Sequence, residues 1–526
     1  MLYTYLGFFG FTLLVIFYTS YKLRKDNLNT SNGYFFAGKS LTAPVIAGSM
    51  LLTNISTEHL IGMNGSAYKN GIIVIAWEIT SAIALVIAAI YIIPRFLKLK
   101  LTTIPEFLEK RFDSSVRSVV AILLVGSYVV TLLPIILYSG AINIESIFDF
   151  STTFSISKEQ SLVYIVLIIG IIGSMYTIFG GLKAVAFSDS LNGIGLMLGG
   201  LLVTIIALYQ IGKGNVFDGV SSIYHFAPKK FDIIGSEDSA LPFSTLFTGL
   251  MINQIYFWGM NQAIIQRAFG AKNLIEAQKG LIYTGILKLF MPLIIVLPGL
   301  IGYYYFQEQY YDKPDLIYPL LVKKVLPTYL YGFFAAVILG AVLSIFNSIL
   351  NSASTIFCMD IYKKSFNKDT TEEKLVYYGK ITSIVLAVIA ISVAPLVAYA
   401  PSGLYLLLQQ LNGIFFIPIS SILVAGLFFK QINATGAKAG LFFGFVFYIL
   451  TSFVFHLNIH FVHLWGIEFV LNLIIMLVVS KFYAPSQSNN QYEEELSKNQ
   501  EKNWSGMNLA GTILVFLTVL IYIVLS

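Results

Sequence analysis

One cysteine, five histidines and few charges are spread over 526 residues, of which Asp, Glu, Lys and Arg together make up only 11%. Cys358 alone can build neither a disulfide framework nor a cysteine metal cluster. Soluble domains carry about a quarter charged residues, so the polar surface that a water-soluble enzyme of this length needs is missing. The sequence has no Gly-rich phosphate loop of the Walker type, and no connection between apolar runs exceeds about 35 residues. That leaves no room for a nucleotide-binding domain and argues against an ATP-driven pump. The net charge of +6 is scattered among short loops rather than gathered in a patch, which argues against a nucleic-acid partner.

What is present is apolar: 57% of the chain, including 42 Phe and 32 Tyr, with a mean hydropathy of +0.78. A run of about 20 apolar residues crosses roughly 30 Å of hydrocarbon as a helix. Fourteen candidates occur, at 2–21, 42–67, 71–94, 118–148, 161–180, 184–212, 243–266, 280–306, 328–358, 381–400, 403–428, 436–455, 462–480 and 507–525. Unbroken stretches such as Leu162 to Ile172 lack the alternation of barrel strands. The expected fold class is therefore an all-α membrane protein with about 14 transmembrane helices. No basic segment precedes run 2–21, and Lys22, Arg24 and Lys25 follow it, so it reads as a retained helix rather than a cleaved signal. Lys and Arg number 24 in alternate loops beginning with the one after this run and eight in the others, while Lys288 lies inside a run. That bias predicts a multi-pass protein of the cell (plasma) membrane with both termini extracytoplasmic.

The informative residues are those a lipid-facing helix would not carry. A charge near the bilayer centre costs at least about 2.5 kcal/mol, so Glu58, His59, Glu78, Asp189 and Lys288 are functional candidates, unless the packed bundle satisfies them. Two runs are interrupted alike. In 42–67, the polar stretch Thr53 to His59 leads into Ile61-Gly62-Met63-Asn64-Gly65; in 243–266, Asn253-Gln254 leads into Gly259-Met260-Asn261-Gln262. Interrupted helices at matching places in two halves point to a transporter's central site. Runs 2–6 against 7–11 form five-helix units, an odd number that inverts the second half.

Glu78 and Ser81, three residues apart, share one helix face and present a carboxylate and a hydroxyl to one partner. Gln254, Gln409, Gln410 and Lys288 add amides and a cation, with aromatic walls from Trp77, Phe257 and Tyr405. Many donors and acceptors between aromatic faces suit a sugar or similar polyhydroxylated solute; the alternative for Glu78 and Lys288 is a buried structural ion pair. Ser344, Ser348, Asn351 or Ser352, and Thr355 recur at helical spacing, either as hard oxygen ligands for sodium or as small residues for close helix packing.

These residues sit among motifs that together resemble the solute:sodium symporter family, most closely its sodium/sugar (glucose/galactose) cotransporter branch, over essentially the full length. The motifs are Phe36-Ala37-Gly38-Lys39-Ser40-Leu41, Asn54-Ile55-Ser56, Ile104-Pro105-Glu106-Phe107, Gly180-Gly181-Leu182 with Asp189, Tyr256-Phe257-Trp258-Gly259, Gln266-Arg267, Glu276-Ala277-Gln278-Lys279-Gly280, and Asn351 to Phe357 with Met359-Asp360-Ile361-Tyr362. The resemblance implies an amino-acid/sodium symporter-like core of inverted five-helix repeats with two broken helices, working by sodium-driven alternating access rather than as an enzyme. On this chain the repeats would be 36–212 and 243–428. Around them would lie a peripheral helix and loop in 1–35, an extracellular loop in 213–242, and accessory helices in 429–526 with a polar cytoplasmic linker at 483–505.

Residue by residue, it implies solute contacts at Asn54, Glu78, Ser81, Lys288 and Gln409, with His59, Gln254 and Phe257 at contact positions where family members differ, and Leu132 replacing a contacting asparagine. Met63, Trp77 and Tyr405 would form the outer gate, and Phe257 would cap the solute from inside. The sodium ion would take carbonyls of Leu52, Ile55 and Ala341 and the Ser344 hydroxyl, while Ile345 replaces a second serine; Asp189 would lie on the ion path to the cytoplasm. The partners implied are a small polyhydroxylated solute, sodium and the lipid bilayer, with no nucleic acid and no obligatory protein partner. Another small solute such as an inositol or a carboxylate remains open. So does a solute sensor, although the chain ends about one residue past its last run, with no signalling domain.

Overall fold

The computed structural model describes residues 2–24, 28–55, 59–399, 404–455, 457–483, 492, 494–497 and 501–526. Among these, every regular element is helical, and the one isolated backbone bridge joins Leu41 to Ala271. Ten helices are long and apolar enough to cross a membrane, or eleven if Leu274–Phe290 and Pro292–Phe306, bent by 42°, count as one span. The difference from fourteen runs arises at three places. Runs 161–180 and 184–212 meet without a gap within Lys158–Ile211, which counts once although it holds two helices joined at a kink, the non-helical Gly181 (φ 55°, ψ −162°). That positive φ favours glycine, and an added Cβ would meet the Tyr34 carbonyl oxygen at 2.4 Å. Runs 42–67 and 243–266 are split into pieces too short to span.

The elements that build the site are α1 (Ala43–Asn54), α2 (Ala76–Ile87), α3 (Lys158–Ile211), α4 (Gly249–Gly259), α5 (Gln262–Phe269), α6 (Leu274–Phe290), α7 (Tyr331–Ile356), α8 (Leu404–Phe428), α9 (Ala434–Ile449) and α10 (Phe461–Lys481). After α1 the chain turns extended at Ile55 (φ −92°, ψ 101°), and it is helical at His59–Met63 and Asn64–Asn70. Glu58, Ser56 and Thr57 lie outside the described residues. Between α4 and α5 the break falls on Met260 and Asn261; Asn261 is extended (φ −78°, ψ 120°) and caps α5 by accepting the Ala263 N–H at 3.0 Å. A Gly-Met-Asn sequence thus supplies both the end of one helix and the cap of the next.

Burial separates core from periphery. The apolar window of Ile72–Lys98 is 89% buried, whereas those of Leu6–Leu23 and Met507–Leu525 are 11% and 17% buried. The broken elements pack inside this frame: α1 between α3, α6 and α7, and α4 against α2 and α10.

Candidate functional site

The two breaks open onto one hollow. A cavity of about 760 Å³ of atom-free space is bounded by Thr53 and Asn54 at the end of α1, His59 past the break, Trp77 and Glu78 on α2, and Leu132. Asn253, Gln254 and Phe257 of α4, Asn261 at the second break, Lys288 of α6, Ile345 of α7, and Gln409 and Asn412 of α8 complete it. Seven of the eight expected solute contacts, Asn54, His59, Glu78, Gln254, Phe257, Lys288 and Gln409, therefore meet in one place. Ser81 does not. It is buried outside the lining, and its hydroxyl donates to the Glu78 carbonyl of its own turn. Thr53, Asn253 and Asn261, read in the sequence as parts of the interruptions rather than as contacts, line the cavity too, as does Asn412, a polar residue inside an apolar run that was not singled out.

The charges in this hollow are paired. The Lys288 ammonium donates to the Glu78 carboxylate and, at 2.7 Å, to Asn54 Oδ1, and it lies 5.3 Å from the Trp258 ring centroid. The buried ion pair that the sequence offers as an alternative for Glu78 and Lys288 is therefore formed, and it borders the cavity. Gln254 is engaged as a brace: its amide donates to the Trp77 carbonyl at 2.6 Å and its oxygen accepts from Trp258 Nε1 at 3.1 Å.

Trp77 and Gln409 also bound a second, outer hollow of about 1160 Å³ with Gly62, Lys69, Asn70, Asp315 and His460, so they form the partition between the two. Trp77 is held edge-on against Trp465 of α10, with centroids 6.1 Å apart. Met63 is fully buried and lines neither hollow, and the side chain of Tyr405 lies outside the described part of the structure. His460, outside the spans, is kept below its ordinary pKa first by burial, against the bond it makes to the Ala240 carbonyl.

Beneath the cavity a dense polar network surrounds Asp189. Its carboxylate accepts the Ser344 hydroxyl at 2.5 Å and the Ser49 hydroxyl at 2.7 Å, and lies 3.8 Å from the guanidinium of Arg267. Arg267 also donates to Ser49 at 3.1 Å, to Ser348 and to the Ala263 carbonyl, and Ser348 lies 3.1 Å from the Thr53 hydroxyl. The serine stripe of α7 therefore meets the end of α1 and the whole of α5; Ser352, further along, donates to Gln266 at 2.7 Å. With its proton directed at Asp189, Ser344 keeps oxygen lone pairs for a cation. α1 ends at Asn54, and the end of a helix is where carbonyls lose intrahelical donors, the kind of hard oxygen a sodium ion takes. Ile345 supplies none of it and faces the cavity. Arg267 escaped the sequence reading because hydropathy ends its run at 266.

At the end of the bundle where Ile104–Arg111 lies, Glu109 bridges Arg117 (2.5 Å) and Lys364, while Arg117 bonds Asp360 at 2.7 Å. Burial pushes the Glu109 carboxyl up, but the bonds to Lys364 and Arg117 outweigh it and hold its pKa below the ordinary value.

An all-helical membrane bundle in which two broken helices face a shared polar cavity is the architecture of an ion-coupled secondary transporter. The profile of the sodium:solute symporter family matches residues 34–444, and the chain belongs to that family, whose members couple solute movement to sodium. It is 40% identical over 517 residues to the uncharacterized symporter YidK of Escherichia coli (strain K12), covering 98% of this chain and 90% of that protein. It is 32% identical over 488 residues to the sodium/glucose cotransporter of Vibrio parahaemolyticus (89% and 87% covered) and 30% identical over 476 residues to the human sodium/myo-inositol cotransporter (82% and 64%). The fold matches a substrate-bound, outward-open sodium-coupled sialic acid symporter at a TM-score of 0.78 and 20% identity, covering 92% of this chain and 99% of that one. A nucleobase-cation-symport-1 family transporter matches at a TM-score of 0.54.

Proposed function

We propose that the protein imports a sugar-like polyhydroxylated solute together with sodium across the plasma membrane by alternating access, with both termini extracytoplasmic. The observation that carries this reading is the Asn54–Lys288–Glu78 cluster, joined by Gln409 on one wall of the cavity between the two breaks. A carboxylate, an ammonium and two amides offer both donors and acceptors at fixed places, which is what vicinal hydroxyls require. Lys288 neutralises Glu78, so the site has no net charge to attract an anion. Trp77 closes the cavity from outside and Phe257 from inside, with Met63 and Tyr405 completing the outer gate in the open form.

In this mechanism sodium sits among the carbonyls of Leu52, Ile55 and Ala341 and the hydroxyl of Ser344, drawing the end of α1 towards α7. That favours the outward-open state, in which Asn54 and Glu78 are in register for solute. After inward opening, sodium leaves past Asp189, and the 36–212 and 243–428 repeats return empty. The membrane potential supplies about 2.3 kcal/mol per charge per 100 mV, enough to concentrate a neutral solute roughly fiftyfold.

The test is uptake of labelled galactose, glucose and myo-inositol by proteoliposomes with and without an inward sodium gradient. Gradient-stimulated uptake of at least one is expected. If none moves, and sodium changes nothing, the reading fails.

A further inference from the structure

Glu468, in the middle of α10, plays no part in the transport reading, yet it is fully buried in the span, and neither carboxylate oxygen makes a hydrogen bond of good geometry among the described residues. Asn472, one turn on, is the polar group beside it. A Cβ placed on Gly444 of α9 would stand 3.0 Å from both Glu468 Oε1 and Asn472 Oδ1, so the two side chains point at the same bare stretch of backbone. Asn472 donates one amide hydrogen to Ser421 of α8 at 3.2 Å, and its oxygen is left without a donor among the described residues.

Among the described residues no counter-charge faces this carboxyl. The helices packed against α10 are α4, α8 and α9. α4 and α8 contain no Asp, Glu, Lys, Arg or His at all. α9 contains only Lys438, exposed and paired with Asp113 at 2.7 Å, and presents Tyr448 as its titratable neighbour. On α10 itself, His463 is bonded to Ser244 and Thr248 outside the span, and Lys481 stands at the far end. An unpaired carboxylate in hydrocarbon costs many kcal/mol, and such a group neutralises itself by taking up a proton. A hard cation collects about six oxygens; the carboxylate and the Asn472 amide offer three. A carboxylic acid, by contrast, brings one donor to a place that has one orphaned acceptor.

We propose that Glu468 is a proton-binding site, occupied as the free acid with its O–H donated to Asn472 Oδ1, and that this proton holds the outer partition in place. Trp465 lies one turn before Glu468 on the same helix face. Its ring edges Trp77, and its Nε1 donates to the Tyr448 hydroxyl at 3.2 Å, which donates in turn to the Gln410 carbonyl at 3.2 Å. Loss of the proton puts a bare charge where α8, α9 and α10 meet and disturbs both contacts. The second half of the proposal rests on Trp77 being the outer gate; the first half does not.

Infrared difference spectra of the full chain in lipid nanodiscs test the site without transport. At neutral pH the protein is expected to show a free-acid carbonyl band that Glu468→Gln removes and that Asn472→Ala, which deletes the acceptor, moves to higher frequency. If neither variant changes such a band, the proton site is overturned. If Glu468→Gln instead lowers bound radioactive sodium by one ion, Glu468 is a sodium ligand and the proposal is equally overturned. For the coupling, uptake by the unaltered protein is expected to fall towards about tenfold for each pH unit above the titration point, while Glu468→Gln keeps its neutral-pH rate. Superimposable pH profiles would overturn the link to the gate.

Discussion

Two buried ion pairs stand a few turns apart in this bundle and are built differently. Glu78–Lys288 borders open space and has one further partner, Asn54. Asp189–Arg267 is sealed in hydroxyls from α1 and α7, and the guanidinium also grips the Ala263 carbonyl of its own helix. Both bear the desolvation that any charge suffers in a membrane. The comparison teaches that the number of fixed partners separates the uses: a pair with free valences beside a hollow can exchange them for solute, whereas a saturated pair holds helices together.

The largest expected effect is that of Glu78→Ala, which removes both the proposed solute ligand and the counter-charge of Lys288. Uptake should be abolished, and because breaking a buried pair costs about 3–5 kcal/mol, Glu78→Ala combined with Lys288→Ala should recover thermal stability without recovering uptake. Unchanged uptake in the single variant would remove Glu78 from the site. Next, Arg267→Ala should lower the unfolding temperature at least as much as Glu78→Ala does, and more than any substitution at Gln409; equal stability of Arg267→Ala and unaltered protein would erase the distinction between the pairs.

A smaller effect is expected at Ile345→Ser, which restores a hydroxyl beside Ser344. A hydrogen bond or ligand of this kind is worth about 1 kcal/mol, so the sodium half-saturation should drop about fivefold, and an unmoved value would mean that the donor set is already complete. The smallest concerns Glu109. Its pKa is held down in the folded chain, so its bonds to Lys364 and Arg117 stabilise fully above its ordinary value of 4.5 and are lost as pH falls through the lower folded value. Unfolding temperature measured down an acid series should therefore decline more gently in Glu109→Gln than in the unaltered protein, and parallel curves would count against the bridge.

Much of this architecture was readable because it violates what lipid asks of a helix. Asn54, Glu78, Asn253-Gln254 and Lys288 stand out in apolar runs, and Gly259 marks the second break, whereas Gly62 and Gly65 lie in helix past the first. What escaped needed three dimensions. Ser81 shares a face with Glu78, as its spacing requires, but its hydroxyl is satisfied within its own turn and never reaches the cavity. Arg267 looked like a loop residue because the hydroxyls that bury it come from Ser49 and Ser348, 218 and 81 residues away along the chain. Hydropathy does separate the two helices that meet at Gly181, but it does not show that a single kinked residue is all that lies between them. Glu468 is an ionisable residue inside run 462–480 and was passed over there; that the helices packed on it carry no charge but Lys438 is a relation that no single run records.

The bridge between Leu41 and Ala271 ties the approach to α1 to the exit of α5, through Leu41 N–H to the Gly270 carbonyl and Lys272 N–H to the Leu41 carbonyl, both 3.0 Å. Glu276, at the start of α6, adds a carboxylate on the Ala43 N–H at 2.6 Å. The two interrupted helices are thereby yoked at one shared end, like shears on a rivet, so that neither can slide along the membrane normal without carrying its twin.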